Sequence, residues 1–333
     1  MGLLADKWSE ARHRLSYFPE AVALLSFFLL FVFFYIAAPN FLTAMSIGNI
    51  LTFGSITGIV TIGVAMLMIC GEFDLSVGSN FACASYVLAL TLIAGWPVWI
   101  SIPLALLVSS LLGLLNGVIV TRTQIPSFIA TLGTMLAYRG IVRAIGKGDF
   151  ATYKGEPIPL FSYLNGDFVL LNKFFGTTSN FRVSLIWFIL VAIIASLVLM
   201  RTRFGNWVFA TGGAPEAASA QGVDVKMVKL ATFTITGLLA GIASILQFAY
   251  RLSVDPLRGD GMELIVVAAS VIGGVRLTGG YGTIFGAVMG TLLLQMLDQG
   301  LVLMKIPIQV FQATAGLIII IAVISNTYLG KAD

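Results

Sequence analysis

The sequence contains one histidine, His13, and two cysteines, Cys70 and Cys83. Charge is also scarce: Asp, Glu, Lys and Arg make up 10% of the 333 residues, against roughly 25% in soluble domains. Each shortage excludes something. A lone histidine in a polar N-terminal tail leaves no Ser/His or His/Glu constellation for hydrolysis. Two cysteines set in or beside apolar stretches indicate neither a disulfide scaffold nor a zinc site. So few charges exclude a soluble globular enzyme, a disordered chain and a nucleic-acid binder. No Arg-rich span suggests a voltage sensor, no run of acids inside a span suggests a proton relay, and no TVGYG-like filter is present. The phosphate cradle G-x-x-x-x-G-K-[ST] is missing too. Its nearest approach, "GIVRAIGKG" from Gly140, has one residue too many before its second glycine and ends in glycine instead of Ser or Thr.

What is present is apolar. Hydrophobic residues make up 58% of the chain and the mean hydropathy is +0.99. The fold class this implies is an all-α polytopic membrane protein. A spanning helix needs ~20 mostly apolar residues, and about ten such stretches can be read: 21–38, 49–70, 79–95, 97–120, 126–145, 183–200, 228–250, 262–275, 281–300 and 307–326. The first follows a polar tail of residues 1–20 and has no small-residue cleavage site after it, so it reads as a span and not as a signal peptide. Of the others, 262–275 is short and 79–120 is divided at Trp96-Pro97.

An even count puts both tails, 1–20 and 327–333, on one side. Lys7, Arg12, Arg14, Arg122, Arg201, Arg203, Lys226, Lys229, Arg276 and Lys331 fall on that side, which the positive-inside rule makes the cytoplasm. Lys147, Lys154, Lys173, Arg182, Arg251, Arg258 and Lys305 fall opposite, partly balanced by Asp149, Glu156 and Asp167. The net charge of +4 is therefore best read as loop asymmetry. Two loops are long: an extracytoplasmic cap, 146–182, and a cytoplasmic segment, 201–227. The rest, 21–326, reads as one transmembrane domain.

Within the spans, Gly282, Gly286 and Gly290 form a small-xxx-small-xxx-small ridge. Gly54/Gly58, Gly113/Gly117 and Gly237/Gly241 repeat the spacing, which lets helix backbones approach closely. Ionisable groups near span ends are Glu72, Asp74, Glu263 and Asp298. They are either hydrated at the interface or, at Gly71–Gly78, part of a broken helix whose freed backbone faces a polar cavity. Neutral polar residues are more numerous: Asn80, Asn116, Thr131, Gln247 and Gln295. They serve either as helix-packing hydrogen bonds or as the lining of a path for a neutral polyhydroxyl solute. Asp74, Asn116, Gln247 and Gln295 are the candidates for that path. "GEFDLSVG" (71–78) and "GGVRLTGG" (273–280) match at four positions, and "IPSFIATLG" and "IPIQVFQATAG" share an Ile-Pro start. Both hint at duplicated halves. The topology makes the two Ile-Pro spans run in opposite directions, which fits an inverted repeat, but sets the two glycine motifs on the same side, which does not.

The most informative stretch is "ATGGAPEAASAQGVDVKMVK" (210–229). Pro215 and Glu216 suit a helical first turn, Ala217, Ala218, Ser219 and Ala220 propagate it, and Gly222 ends it. A short helix with a small face, within 213–222, is expected between two spans.

Gly213, Glu216, Ala217, Ala218 and Gly222 follow the Glu-Ala-Ala…Gly pattern of ABC importer permeases. With "GEFDLSVGS", "IPSFIATLGTMLAYRG" and "AASVIGGVRLTGGYGTIFGAVMG", the chain resembles the ribose-type sugar permeases along nearly its whole length, the group that includes the ribose, xylose, arabinose, galactose and autoinducer-2 systems. The resemblance implies a fold similar to the vitamin-B12-type importer permeases. It also implies a coupling helix (Gly213, Pro215, Glu216, Ala217, Ala218, Gly222) that docks on a cytoplasmic ABC ATPase with duplicated nucleotide domains. The implied partners are that ATPase, a periplasmic sugar-binding protein and a second permease copy, either as a homodimer or as a heterodimer; no nucleic acid is expected. ATP and Mg would be bound by the partner ATPase, and this chain would carry no cofactor and no catalytic site. Two departures leave the solute open: Glu72-Phe73 precede Asp74 where the family usually has Gly-Ile, and "YRLSVDPLRGDGMEL" follows the seventh span where a Gly/Ser/Ala-rich turn is common. Two other classes compete with this reading, an ion-coupled secondary transporter using Asp74 or Asp298 and a passive channel.

Overall fold

The computed structural model describes residues 19–176, 179–307, 310, 313, 314, 316, 317 and 320. Of the expected N-terminal tail 1–20, only Pro19 and Glu20 are among these; the tail 327–333 and most of the tenth span, 307–326, lie outside them. The described chain is helical. In order it forms α1 (Pro19–Ala37), α2 (Ala44–Ile69), α3 (Val77–Ile93), α4 (Val98–Thr123), α5 (Ser127–Ile145), β1 (Ala151–Thr152), α6 (Pro159–Asn165), α7 (Val169–Phe175) and α8 (Ser184–Arg201). There follow α9 (Arg203–Gly213), α10 (Pro215–Ala220), α11 (Val225–Arg251), β2 (Ser253–Val254), α12 (Met262–Ile272) and α13 (Ile284–Leu303).

Six of these, α2, α4, α5, α8, α11 and α13, are long and apolar enough to cross a membrane. Shorter apolar helices lie at Leu24–Ala37 in α1, in α3 and in α12. The expected span 262–275 is corrected by α12. Its 11 residues rise about 16 Å, half of a ~30 Å hydrocarbon core.

Local chemistry sets the helix starts. The side chains of Thr43, Thr202, Asp224 and Thr283 each accept a hydrogen bond from the backbone N–H three residues on, occupying a donor that the first turn leaves free. Tertiary packing sets their order. α2 and α11 form the centre, with 78% and 61% of their most apolar stretch buried; α4, α5 and α8 bury 22% each. The outer helices therefore turn leucine stripes outward, such as Leu107, Leu111 and Leu115 on α4, which only lipid or another subunit covers.

Glycines set the closest crossings. A methyl at Gly113 of α4 would sit 2.4 Å from the Phe233 carbonyl of α11, and one at Gly237 would sit 2.4 Å from the Ser109 carbonyl. Likewise Gly286 and Gly290 of α13 press on the carbonyls of Gly273, at the end of α12, and Ala269, within it. Gly282 does not join that ridge. It precedes the Thr283 cap, outside α13, and borders Val275 and Ile69. The expected run of three helical glycines is corrected to two.

The described residues of the cap, 146–176 and 179–182, hold more regular structure than its Pro- and Gly-rich sequence suggests. β1 pairs antiparallel with β2, and α6 docks on α11 through Asn165, whose Nδ2 donates to the Leu246 carbonyl at 2.8 Å. Arg182 reaches Asp167 at 3.3 Å and lies over the Tyr250 ring.

Candidate functional site

At the opposite end from the cap, the 201–227 segment contains one more helix than the sequence suggested. α9 runs from its Thr202 cap to Gly213 and buries Gly205, Val208 and Thr211. Three-residue spacing puts these on one face. The polar letters "RTRFGNW" hid that amphipathic pattern. α10 follows at once, with Pro215 as its first residue and Glu216 in its first turn. Gly222 has φ +86°, a left-handed position that favours glycine. Its N–H donates to the Ser219 carbonyl, and the Val223 N–H donates to the Ala218 carbonyl, a closure that satisfies the last free acceptors of the helix. Ala218 is buried against the body, while Gly213, Pro215, Glu216, Ala217 and Gly222 are exposed. The end of the molecule thus presents a small, rigid knob.

That knob is seated on glycine. A methyl at Gly212, the residue before Gly213, would lie 1.9 Å from the Ile69 carbonyl and 2.6 Å from the Gly280 nitrogen. The Gly280 N–H donates to that Ile69 carbonyl at 2.8 Å. Gly71 (φ +85°) packs on Gly212, and Gly279 packs on Gly71. The two glycine motifs, 71–78 and 273–280, therefore lie side by side at this end, and α9 is wedged against both. Sequence reading selected Gly213 and passed over Gly212. The only available signal was that the glycines came as a pair.

Between α2 and α3 the chain leaves helical geometry at residues 70–76. Its freed N–H groups find hydroxyls on α5: Phe73 N donates to Ser127 Oγ at 3.0 Å and Leu75 N to Thr131 Oγ1 at 3.1 Å. Asp74 Oδ1 accepts from Ser76 N (2.8 Å), Ser76 Oγ (2.7 Å) and Asn116 Nδ2 (3.2 Å). Asn116 also donates to Ser76 Oγ at 2.7 Å and accepts from the Tyr138 hydroxyl at 3.1 Å. Glu72, the unusual residue of this motif, forms an ion pair with Lys229 of α11.

The four path candidates therefore separate. Asp74 and Asn116 come together, but at 1% and 0% exposure they sit within the helix packing and line no open wall in this conformation. Gln247 faces a cleft toward the cap end with Asp255, Arg258 and Asp260. Gln295 donates to Asp298 at 3.3 Å, a separate place on α13. The neighbours of Gln247 in the cleft are charged. The departure "YRLSVDPLRGDGMEL" carries these charges, but only the fold shows that they meet Gln247. Among the described residues no cluster of three or more His, Cys, Asp or Glu could hold a metal.

One result follows for the cluster at the helix break. Asn116→Leu removes a donor from Asp74 and an acceptor from Tyr138, leaving buried polar groups unpaired. The expected loss of stability is about 2 kcal/mol, read as a lower thermal midpoint of the detergent-purified protein. A midpoint equal to wild type would contradict a structural role for the cluster.

The family described as branched-chain amino acid transport system / permease component matches residues 46–323. The chain is 31% identical to the ribose import permease protein RbsC of Haemophilus influenzae over 293 residues, 88% of each protein. It is 33% identical to the autoinducer 2 import system permease protein LsrC of Yersinia enterocolitica, over 90% of this chain and 80% of that protein. Against LsrC of Salmonella typhi the identity is 34%, over 90% of this chain and 83% of the relative. No solved structure matches it. With its apolar spans, its glycine-tight helix crossings and these matches along almost the full chain, this multi-pass membrane protein belongs to the ABC importer permease family that contains the ribose and autoinducer-2 import permeases.

Proposed function

We propose that the chain is the membrane subunit of an ATP-driven importer for a monosaccharide or related small polyhydroxyl solute in a bacterial inner membrane, with both termini in the cytoplasm. The observation that carries this reading is the exposed α10 knob and its seat. A small-faced helix at the protein surface is suited to a socket on a partner, and its seat on the glycine junction links it to the turns at 70–76 and 273–280. A pull on α10 therefore reaches α2, α3, α12 and α13 through backbone contacts that have no slack.

In this reading a cytoplasmic ATPase with duplicated nucleotide domains binds ATP and Mg, and it docks on Gly213, Pro215, Glu216, Ala217, Ala218 and Gly222 of each of two permease copies. A homodimer is the simplest arrangement, and a heterodimer uses the same surfaces. A periplasmic sugar-binding protein docks on the cap. ATP binding draws the two α10 helices together and switches access. Gln247 and Gln295 belong to the solute path, while Asp74 and Asn116 hold the helix break that moves with it. This chain needs no cofactor of its own.

Glu216→Ala and Gly222→Asp test the coupling. Gly222→Asp puts a side chain at a left-handed φ and removes the helix end that shapes the knob; Glu216→Ala alters the exposed first turn. Each variant is expected to remain in the membrane, to lose co-purification of the ATPase and to lose uptake. Normal uptake by both would reject the coupling role. Uptake that is blocked by an uncoupler and indifferent to vanadate would point to ion coupling instead.

A further inference from the structure

The β2–α12 connection, 255–261, encloses a cleft of about 280 Å³ with Thr57 of α2 and Gln247 of α11. Its side chains include Asp255, Arg258 and Asp260, with Met262 as an apolar wall. We propose that this cleft is a low-affinity monosaccharide site belonging to the permease itself, in which Gln247, Asp255 and Arg258 contact the hydroxyls and Arg139 is the positioning residue. The proposal rests on the importer reading and adds to it where the solute sits and which groups touch it.

Three observations converge on the site. First, the cleft wall is built before any solute arrives. Arg139 of α5 is 7% exposed. Its Nη1 donates to the carbonyls of Arg258 (2.7 Å) and Pro256 (3.3 Å), and Nη2 reaches Asp260 at 3.8 Å. Gly78 of α3 packs so tightly that a methyl there would meet the Gly259 carbonyl at 2.2 Å. The Leu257 N–H donates to Asp255 Oδ1 at 3.1 Å, and Arg258 Nη2 meets Asp255 Oδ2 at 2.8 Å. A loop fixed by a buried guanidinium and a backbone contact holds its polar groups in place, which is what a recognition site requires.

Second, the charged side chains that line the cleft are paired, with the Glu263 carboxyl close by beside Arg139 and Asp260. Asp255 pairs with Arg258, and Asp260 pairs with Arg139. Paired charges still leave hydrogen-bonding capacity for a neutral solute. A carboxylate accepts, a guanidinium donates, and the Gln247 amide does both. Adjacent sugar hydroxyls, each donor and acceptor at once, match an acid and a base held 2.8 Å apart.

Third, size and exposure fit. The volume is at the small end of ligand sites, ~300 Å³, room for one sugar ring with Met262 against its C–H face. Asp255 and Arg258 side chains are each 23% exposed, so the site stays wet and exchange is fast. Weak capture suits a path that must also let its solute go.

The test uses the full-length permease in lipid nanodiscs with its partner subunits and without the binding protein. Saturation-transfer NMR is run with D-ribose and D-galactose as aldose probes and glycine betaine as a probe without hydroxyls. Saturation of the aldoses at roughly millimolar affinity, none for betaine, and loss of the aldose signal in Gln247→Leu are expected. The charge-neutral pair Asp255→Asn with Arg258→Gln keeps shape and hydrogen bonding, and should bind roughly tenfold more weakly. No aldose signal in wild type, equal signals in wild type and both variants, or betaine saturating as well as the aldoses would each overturn the proposal. Co-purification of the ATPase, measured on the same preparation, separates the two readings. Its loss in wild type counts against the importer, while its presence with no aldose signal counts against the cleft alone.

Discussion

Gly212→Val is expected to abolish uptake and to remove most folded protein from the membrane. The first carbon of any side chain at this position falls 1.9 Å from the Ile69 carbonyl and 2.6 Å from the Gly280 nitrogen. Both are backbone atoms joined to each other by a hydrogen bond, so neither can rotate away as a side-chain tip can. Overpacking against movable side chains costs about 1–3 kcal/mol. Here the junction itself must open, so a loss above about 3 kcal/mol is expected, a large share of the stability of most domains. Gly213 provides the control. An added methyl there has only the Gly280 Cα as a near neighbour, at 3.6 Å, an ordinary contact. Folded yield and thermal midpoint of Gly213→Ala should stay near wild type. Equal midpoints for the two variants would show that the junction yields, and that force applied at α10 does not pass through it.

Lys229→Met should be strongly destabilising. Glu72 is 7% exposed and Lys229 is its ion-pair partner. Removing one member strands a carboxylate at the start of the helix break. Breaking a buried pair costs about 3–5 kcal/mol. The Lys229 side chain is 24% exposed, so water reaches the site and the lower figure applies. Lys229→Met with Glu72→Leu should recover most of the lost midpoint, because two apolar groups leave no charge unpaired. A single variant as stable as wild type, or a double variant no better than the single, would show that the pair contributes little. Glu72 looked anomalous in sequence, since the related motifs usually have glycine before the hydrophobic residue and Asp. Its partner, 157 residues away, accounts for it.

Where the chemistry is local, the sequence could be read directly. Apolar length located α1 to α5, α8, α11 and α13, because a bilayer demands nearly uniform hydropathy over a fixed length. Pro215, Glu216 and Gly222 located α10, because its start and stop depend on those residues alone. The break at Gly71–Gly78 was visible as an acid beside glycines within an apolar run. The errors arose where burial depends on distant partners. α9 was missed because its fully buried residues, Gly205, Val208 and Thr211, are small or only moderately apolar and are interleaved with Arg203, Asn206 and other exposed residues. Gly282, spaced correctly for a ridge, is excluded from α13 by a threonine cap one residue later. The helix within the span expected at 262–275 stops at Ile272, where Gly273 caps it.

By itself, then, the sequence determined a many-helix membrane protein with a short helix between two spans at 213–222 and few charges in its spans, because hydropathy, capping and glycine spacing act within a few residues. Only the tertiary structure decided which polar groups meet. Asp74 and Asn116, 42 positions apart, close a buried cluster. Glu72 finds Lys229, and Gln247 faces Asp255 and Arg258 across a cleft. In a medium of low dielectric an unpaired polar group is too costly to leave alone, so each of these residues is defined by its partner, and partners chosen across the bundle leave no trace in the spacing of the chain.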